Sequence, residues 1–190
     1  MHRATEQGDP RLVNIVGAFA LALADGIRDA TEAAAGMTGA APAALVALDQ
    51  FLAGRPTGEL AQVTGITHSG AVRLVDRLVD AGLVERRAGR DARSGSIVLT
   101  TRGRELSRQV TAARATAVRT VLERLATDDN PALLALMETM VAKLTAIRLD
   151  AAAQPDEPRA WMCRLCDLES CGRPRGECPA ANAAQAHARG

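Results

Sequence analysis

The sequence predicts a mainly α-helical chain with one small β-hairpin. Apolar residues recur at steps of three and four through most of its length, which is the spacing of amphipathic helices. Aromatic residues make up only 2% of the 190 residues, so a core of Ala, Leu, Val and Ile is expected, and such a core suits helix-on-helix packing. Strand-like segments are confined to one place, residues 83–100.

Two helices are predicted before the chain reaches its most informative stretch. The first covers residues 10–35 and ends at Gly36 and Gly39. Pro42 opens a second helix, which runs to about Ala53 before a Gly-Arg-Pro break. The first helix has one apolar stripe, formed by Leu12, Val16, Phe19, Leu23 and Ile27.

Residues 57–100 predict a helix-turn-helix followed by a hairpin. Thr57 can cap a short helix over 58–63, and Gly65 breaks it. Thr67 or Ser69 caps a second helix that runs to Ala81. Two short helices joined by a Gly-containing turn are typical of this motif. After Gly82, strands at 83–87 and 96–100 flank a loop at 88–95, which completes a winged helix.

Two long helices are predicted after the hairpin. The first runs from Thr101 to about Thr127, and residues 128–131 stop it and restart the second, over 131–153. A linker follows at 154–158. The second helix has a heptad seam suited to helix pairing, formed by Leu133, Met137, Met140, Leu144 and Ile147.

Local charge points to DNA as a partner of residues 67–105. The net charge of the whole chain is only +1, but this window holds eight arginines against five acids, a local charge of +3. The N-terminal part of the second helix can present Thr67, His68, Ser69 and Arg73 to base edges in the major groove. The opposite face is expected to pack in the core through Leu74, Val75, Leu78 and Val79.

Five further arginines of this window are candidates for DNA contact. Arg90 and Arg93 on the wing can reach the minor groove or its phosphates. The other DNA-binding candidates are Arg77, Arg86 and Arg87. The alternative to DNA contact for Arg77 is a solvated surface charge, or an ion pair with Asp76, Asp80 or Asp91.

Residues 57–104 resemble the MarR (multiple antibiotic resistance regulator) family. Gly70–Arg87, reading GAVRLVDRLVDAGLVERR, resembles the family's recognition helix and first wing strand. Asp91-Ala-Arg93, with Ile97–Thr100 and Gly103, resembles its wing signature. The resemblance implies that Asp91 supports the wing, that Arg93 contacts the DNA backbone or minor groove, and that the flanking helices form a homodimer. It also implies a small-molecule effector bound between those helices and the DNA-binding part.

The way in which a recognition helix reads DNA also predicts a dimer. One recognition helix buries too little surface for useful specificity, whereas two can read a palindromic operator in double-stranded DNA. The stripes at 12–27 and 133–147 are the expected dimer surfaces, and an intramolecular core is their alternative.

All four cysteines lie close together near the C-terminus, as Cys163, Cys166, Cys171 and Cys178. The C-x2-C-x4-C-x6-C spacing, with bends at intervening glycines and a proline, predicts one metal site with four thiolates. Zinc is the expected metal, and a [4Fe-4S] cluster is the alternative. The alternative to a metal site is a set of free or disulfide-forming thiols. Trp161 is expected to pack this extension onto the body.

The sequence therefore predicts four segments. Residues 10–56 hold a dimerisation helix and the first helix of the DNA-binding part, 57–100 the winged helix-turn-helix, 101–153 the C-terminal dimerisation helices, and 159–180 the metal-binding extension. The predicted function is that of a sequence-specific DNA-binding transcriptional regulator, with repression as the expected direction of control. Its DNA binding is expected to respond to a small ligand or to the state of the metal site.

The sequence does not predict other classes of function. Neither a nucleophile–base pair nor a phosphate loop is evident, so no enzyme is predicted. The chain is expected to be cytoplasmic, because it has no evident secretory signal and no run approaching the roughly 20 apolar residues of a membrane span. The alternative is a metal-stapled interaction module or a cysteine-based redox protein without DNA binding.

Overall fold

The computed structural model describes residues 9–87, 96–123, 130–152 and 161–189. In these ranges the fold is helical with one antiparallel pair of strands, which confirms the predicted class. The elements are α1 (Pro10–Ala35), α2 (Ala41–Gln50), α3 (Thr57–Thr64), α4 (His68–Asp80), β1 (Val84–Arg87), β2 (Ser96–Leu99), α5 (Thr101–Leu122), α6 (Asn130–Ala152) and α7 (Pro179–His187), with two short 3-10 turns, Met162–Leu165 and Arg173–Arg175.

Most helix ends lie where the sequence predicts them, with three exceptions. One is α5, which ends at Leu122, five residues before the predicted end at about Thr127. Gly36 and Gly65 close α1 and α3 in the left-handed conformation, with φ of 60° and 70°. Thr57 is the first residue of α3 and not its cap, because Pro56 holds the cap position without a side-chain hydrogen bond. α2 ends three residues early: the backbone N–H groups of Phe51 and Leu52 both bond to the same carbonyl, at 3.0 and 2.8 Å, which closes the helix.

The DNA-binding lobe, which we define as α2 to α4 with β1 and β2, holds the main core. β1 and β2 pair antiparallel, with Val84 opposite Leu99 and Arg87 opposite Ser96. α4 contributes Leu74, Val75 and Leu78, which are buried as predicted, whereas the prediction was wrong for Val79, which is 36% exposed. The most buried large side chains elsewhere in the lobe are Leu45, Val46, Leu48, Leu60, Val63, Val84 and Ile97.

α5 joins the lobe to α1. Its first turn packs directly against the end of β1, where a Cβ on Gly103 would lie only 2.0 Å from the carbonyl oxygen of Leu83. Farther along, Val110 packs with Ala35 of α1 and Val46 of α2. These contacts fix the long helix α1 on the lobe.

Two helices keep apolar side chains exposed in the single chain. The predicted stripes lie here, with Phe19 47% exposed on α1 and Ile147 61% exposed on α6. By length and composition alone α1 could also cross a membrane, and none of its most apolar 18-residue window is buried. One such helix is weak evidence for a membrane span, and Asp25, Arg28 and Asp29 interrupt its apolar run.

Candidate DNA-reading surface and cysteine cluster

The start of α4 brings the predicted base-reading residues together on an exposed face. Thr67 caps the helix, and its Oγ1 accepts a hydrogen bond from the backbone N–H of Gly70 at 3.1 Å. The same oxygen lies 3.2 Å from the Ser69 hydroxyl. Thr67, His68, Ser69 and Arg73 are all exposed, because the buried side of α4 packs in the core against α3 and β1.

The arginines around α4 differ in how strongly they are held. Arg86 on β1 forms an ion pair of 2.6 Å with Asp76, so Asp76 is the partner of Arg86 and not of Arg77. Arg87 lies 3.9 Å from Glu85. Among the residues that the structure describes, neither Arg73 nor Arg77 has an ion-pair partner.

Two further arginines of the predicted basic window have structural contacts. Arg104 donates to the carbonyl of Leu99 at 2.9 Å, and Arg102 donates to the carbonyl of Ala81 at 3.4 Å. The predicted wing residues Arg90, Asp91 and Arg93 lie outside the described residues. The local charge available for a ligand is therefore carried mainly by α4 and β1 in the part described.

Sequence reasoning missed two residues at this surface. Val72 lies between Ser69 and Arg73 in the chain, and its side chain is 37% exposed on the outer side of α4. Its offset of four positions from His68 could have placed it on that face, since residues four apart are neighbours on a helix. Asp76 was considered only as a partner for Arg77, whereas it holds Arg86 against α4.

A tight turn brings the first two cysteines together. Met162–Leu165 form one 3-10 turn, and the backbone N–H of Cys166 donates to the carbonyl of Cys163 at 3.0 Å. A hydrogen bond between the two thiols lowers the pKa of Cys166 to about 6, and nearby Arg114 and Arg164 act in the same direction. The same hydrogen bond raises the pKa of Cys163.

The other two cysteines are positioned by a second series of turns. Asp167 accepts hydrogen bonds from the Ser170 hydroxyl at 2.6 Å and from two backbone N–H groups, and these bonds lower its pKa. The Cys171 thiol donates to the carbonyl of Leu168 at 3.4 Å. Cys178 is buried and occupies the cap position of α7. Burial raises the pKa of the Cys171 thiol, and its hydrogen-bond contact with Cys178 acts in the same direction.

The four thiols influence one another, and we call them together the four-thiol ring. The pKa shifts of Cys163 and Cys166 arise in part from each other, that of Cys171 in part from Cys178 and Cys166, and that of Cys163 in part from Cys178. The ring is looser than a finished coordination sphere: within the described ranges, no group of three or more His, Cys, Asp or Glu side chains is arranged to hold a metal ion. The predicted metal thus stays a prediction.

The cysteine segment, residues 161–189, contacts both the lobe and α6. Trp161 stacks on Phe51 with ring centroids 6.0 Å apart, and its backbone N–H donates to the carbonyl of Val63 at 2.8 Å. The prediction that Trp161 packs this extension onto the body is confirmed. The backbone N–H of Leu168 donates to the Gln50 side chain at 3.0 Å. At the other end, α7 packs along α6.

Comparison with known proteins identifies the winged-helix part. A family model described as MarR family matches residues 35–94. No curated protein matched the chain in sequence.

Several solved structures share the fold. Rv1404 from Mycobacterium tuberculosis is 25% identical, with a TM-score of 0.61, and the match covers 73% of this chain and 96% of that one. The M. tuberculosis MarR family protein Rv2887, in complex with p-aminosalicylic acid, is 28% identical over 65% of this chain and 96% of that one, with a TM-score of 0.51.

A third structure contains nucleic acid. Sco3205 from Streptomyces coelicolor, a MarR family transcriptional regulator in complex with DNA, is 25% identical over 75% of this chain and 93% of that one, with a TM-score of 0.54. Residues 35–94 of this chain therefore match the MarR family, and the chain has the fold of MarR-family transcriptional regulators.

Proposed function

We propose that the chain is a sequence-specific, double-stranded DNA-binding transcriptional regulator that acts as a homodimer. The observation that carries this proposal is the exposed face of α4. This face presents hydroxyls and an imidazole at the helix start and two arginines without ion-pair partners in the described residues, while the other face forms the core. A helix so oriented can enter a major groove with its N-terminal residues against base edges.

Each part of this face suits a different contact. Arg73 is the candidate for a bidentate contact to a guanine edge, and such a contact discriminates by about 1–3 kcal/mol. Val72 can meet a thymine methyl group. Arg77, farther along the helix, and Arg87, on β1, suit phosphates, which add affinity without sequence information. The ion pair with Asp76 holds Arg86 beside α4, so Arg86 is already in place to contact a phosphate when DNA binds.

A second copy of this chain is the proposed occupant of the exposed apolar faces of α1 and α6. The two faces are long, and the exposed side chains include Leu12, Phe19, Met137 and Ile147. Soluble chains rarely leave such extended apolar surfaces uncovered. A two-fold dimer would present two copies of α4 to half-sites about 34–36 Å apart, which suits a palindromic operator.

An open cavity of about 560 Å³ offers a place for a small-molecule effector. It lies between α1, α2, α5 and the first cysteine turn, and its volume falls in the range of roughly 300–1,000 Å³ usual for ligand sites. The lining combines apolar groups such as Ile27 and Leu165 with the carboxylate of Glu32 and the guanidinium groups of Arg114, Arg164 and Arg28, of which Arg28 is paired with Asp25. An amphipathic acid fits this chemistry, and the p-aminosalicylic acid complex of Rv2887 supports the class.

Effector binding there would alter the placement of α1 and α5 relative to the lobe. A ligand shifts an equilibrium only by its difference in affinity between two states. If the ligand favours a dimer whose α4 helices are wrongly spaced, operator affinity falls and a repressor releases its promoter.

Duplex selection tests the proposal directly. Sites are selected from a random duplex library with the full chain, and affinity is then measured by fluorescence anisotropy at several salt concentrations. We expect Arg73→Ala to weaken binding by about 5- to 150-fold, since about 1–3 kcal/mol is lost. Arg77→Ala should weaken all duplexes alike and reduce the salt slope by about one unit.

Arg189→Ala is the matched control, because it removes the same charge from an exposed position after α7. Equal loss in all three variants would show that binding reflects net charge alone. Absence of any selected sequence, with the protein folded and dimeric by light scattering, would favour the interaction-module or redox alternative.

A further inference from the structure

The four-thiol ring has no role in the DNA-reading surface, and its chemistry suggests a separate site. We propose that Cys163, Cys166, Cys171 and Cys178 are the four ligands of one Zn²⁺ ion, and that this ion holds the cysteine segment in place as a clamp between the lobe and α6. The zinc site does not depend on the proposed function. Only an effect of the zinc ion on operator binding would rest on that function.

Proximity is the first argument. The four residues span sixteen positions of chain, and one compact series of turns holds them. Cys163 lines a cavity together with Arg173 and Ala180, which follow Cys171 and Cys178 by two residues in the chain. Four thiolates satisfy the tetrahedral coordination of Zn²⁺, with Zn–S bonds of about 2.3 Å. The spacing of the cysteines in the sequence resembles that of a zinc knuckle, which favours Zn²⁺ over a four-iron cluster.

Binding of the ion balances in protons and in electrons. Each thiol that is protonated loses its proton to solvent as its sulfur donates a lone pair to Zn²⁺, and no electron is transferred. The interactions between thiols are then replaced by Zn–S bonds.

The surroundings carry the right charge for such a centre. Four thiolates around Zn²⁺ have a net charge of −2, and a partly buried centre of this charge needs compensation. Arg114 and Arg164 act electrostatically on Cys166, and Arg173 acts on Cys163. The nine-residue helix α7 begins directly after Cys178, and the positive end of its dipole adds to this compensation.

The cysteine segment also lacks a hydrophobic core of its own. Across residues 161–189 the only buried apolar side chains are Cys178 and Ala180, so burial alone offers little to offset the entropy of ordering these turns. Small segments of this kind depend on a metal or a disulfide for stability. A metal ion is therefore the expected source of order here.

Position gives the ion a mechanical role. Trp161 and Leu168 fix one end of the segment to α2 and α3. At the other end α7 lies along α6, where His187 is 3.7 Å from Asp150. Among the described elements, α6 packs extensively only against α7. Loss of the ion should therefore free α6, an element of the proposed dimer, from the lobe that carries α4.

The test begins with the untagged full chain purified without oxygen, with zinc and iron quantified on the same sample and the absorption spectrum recorded. We expect a colourless protein with one Zn²⁺ per chain. Cobalt(II) added to the chelator-treated protein should give the intense visible absorption of a tetrahedral thiolate site. Cys171→Ser and Cys178→Ser should each lose the ion at zinc concentrations that saturate the wild type, whereas His187→Gln should keep it.

Hydrogen exchange of the same full chain then tests the clamp. Chelation should raise exchange in 130–152 and 161–189 and leave α3 and α4 unchanged, and added Zn²⁺ should restore protection. This comparison uses wild-type protein, so it holds even if a cysteine variant fails to fold. Zinc content and exchange do not depend on DNA, so failure here leaves the proposed function standing, and failure to bind DNA leaves the zinc site standing.

Four results would overturn the proposal. Iron with a brown colour would replace Zn²⁺ by a cluster. Four freely reactive thiols with no metal after zinc is added would remove the site. Full zinc retention in Cys171→Ser would reduce the ligand set, and unchanged exchange in 130–152 after complete zinc removal would exclude the clamp.

Discussion

The close approach of α5 to the end of β1 makes Gly103→Ala a sharp test of the packing. The new Cβ would stand 2.0 Å from the carbonyl oxygen of Leu83, 3.0 Å from its carbonyl carbon and 3.2 Å from a methyl group of Leu99. Atoms of this kind are not found closer than 3.0 Å, so α5 and β1 must separate by at least 1 Å. The nearest obstacle is backbone, which cannot turn aside as a side chain can.

The separation has a cost that can be estimated from the neighbours. The Leu83 carbonyl accepts a hydrogen bond of 3.0 Å from the N–H of Thr100, which a shift would weaken. Overpacking costs about 1–3 kcal/mol, and a lost hydrogen bond about 1 kcal/mol. Alanine recovers up to about 1 kcal/mol through its helix propensity. The net expectation is a loss of about 1–3 kcal/mol in the free energy of unfolding.

Thermal unfolding followed by circular dichroism measures this loss. For a chain of this size about 1 kcal/mol corresponds to roughly 2–4 °C in Tm, so a fall of about 2–12 °C is expected at fixed protein concentration. Gly58→Ala is the matched control, because a Cβ there meets nothing within 4 Å and the position is helical. A Gly103→Ala protein as stable as the wild type would refute the close packing of α5 on β1.

Substitutions at three further positions test the lobe and α5 by urea denaturation. Leu78→Ala should cost about 2–5 kcal/mol, because the side chain is 0% exposed; a loss below about 1 kcal/mol would contradict its place in the core. Thr67→Ala should cost about 1 kcal/mol by removing the α4 cap, and Thr67→Asn should largely retain it. Ser107→Ala should stabilise by about 1 kcal/mol, because the Ser107 hydroxyl is buried without a partner in the part of the chain described; lower stability would indicate an unseen partner.

The sequence predicted those features that local chemistry controls. Gly36 and Gly65 end helices because only glycine adopts positive φ without strain, and Thr67 caps α4 because its hydroxyl satisfies a free N–H. Val79 shows the limit of periodicity. It lies about 40° around the helix from Val75, and how far the core extends around α4 depends on its neighbours.

The sequence by itself thus determined the helical class, the hairpin and the face of α4 that meets the core, since each follows from spacing within one element. The tertiary structure alone decided which charges meet and which thiols are neighbours. Asp76 meets Arg86 ten residues away, and Cys178 meets Cys171, because chain folding sets distances that no periodic pattern encodes. It also placed α7 along α6 and left the stripes of α1 and α6 uncovered in the single chain, because the match of one surface to another is a property of the assembled elements.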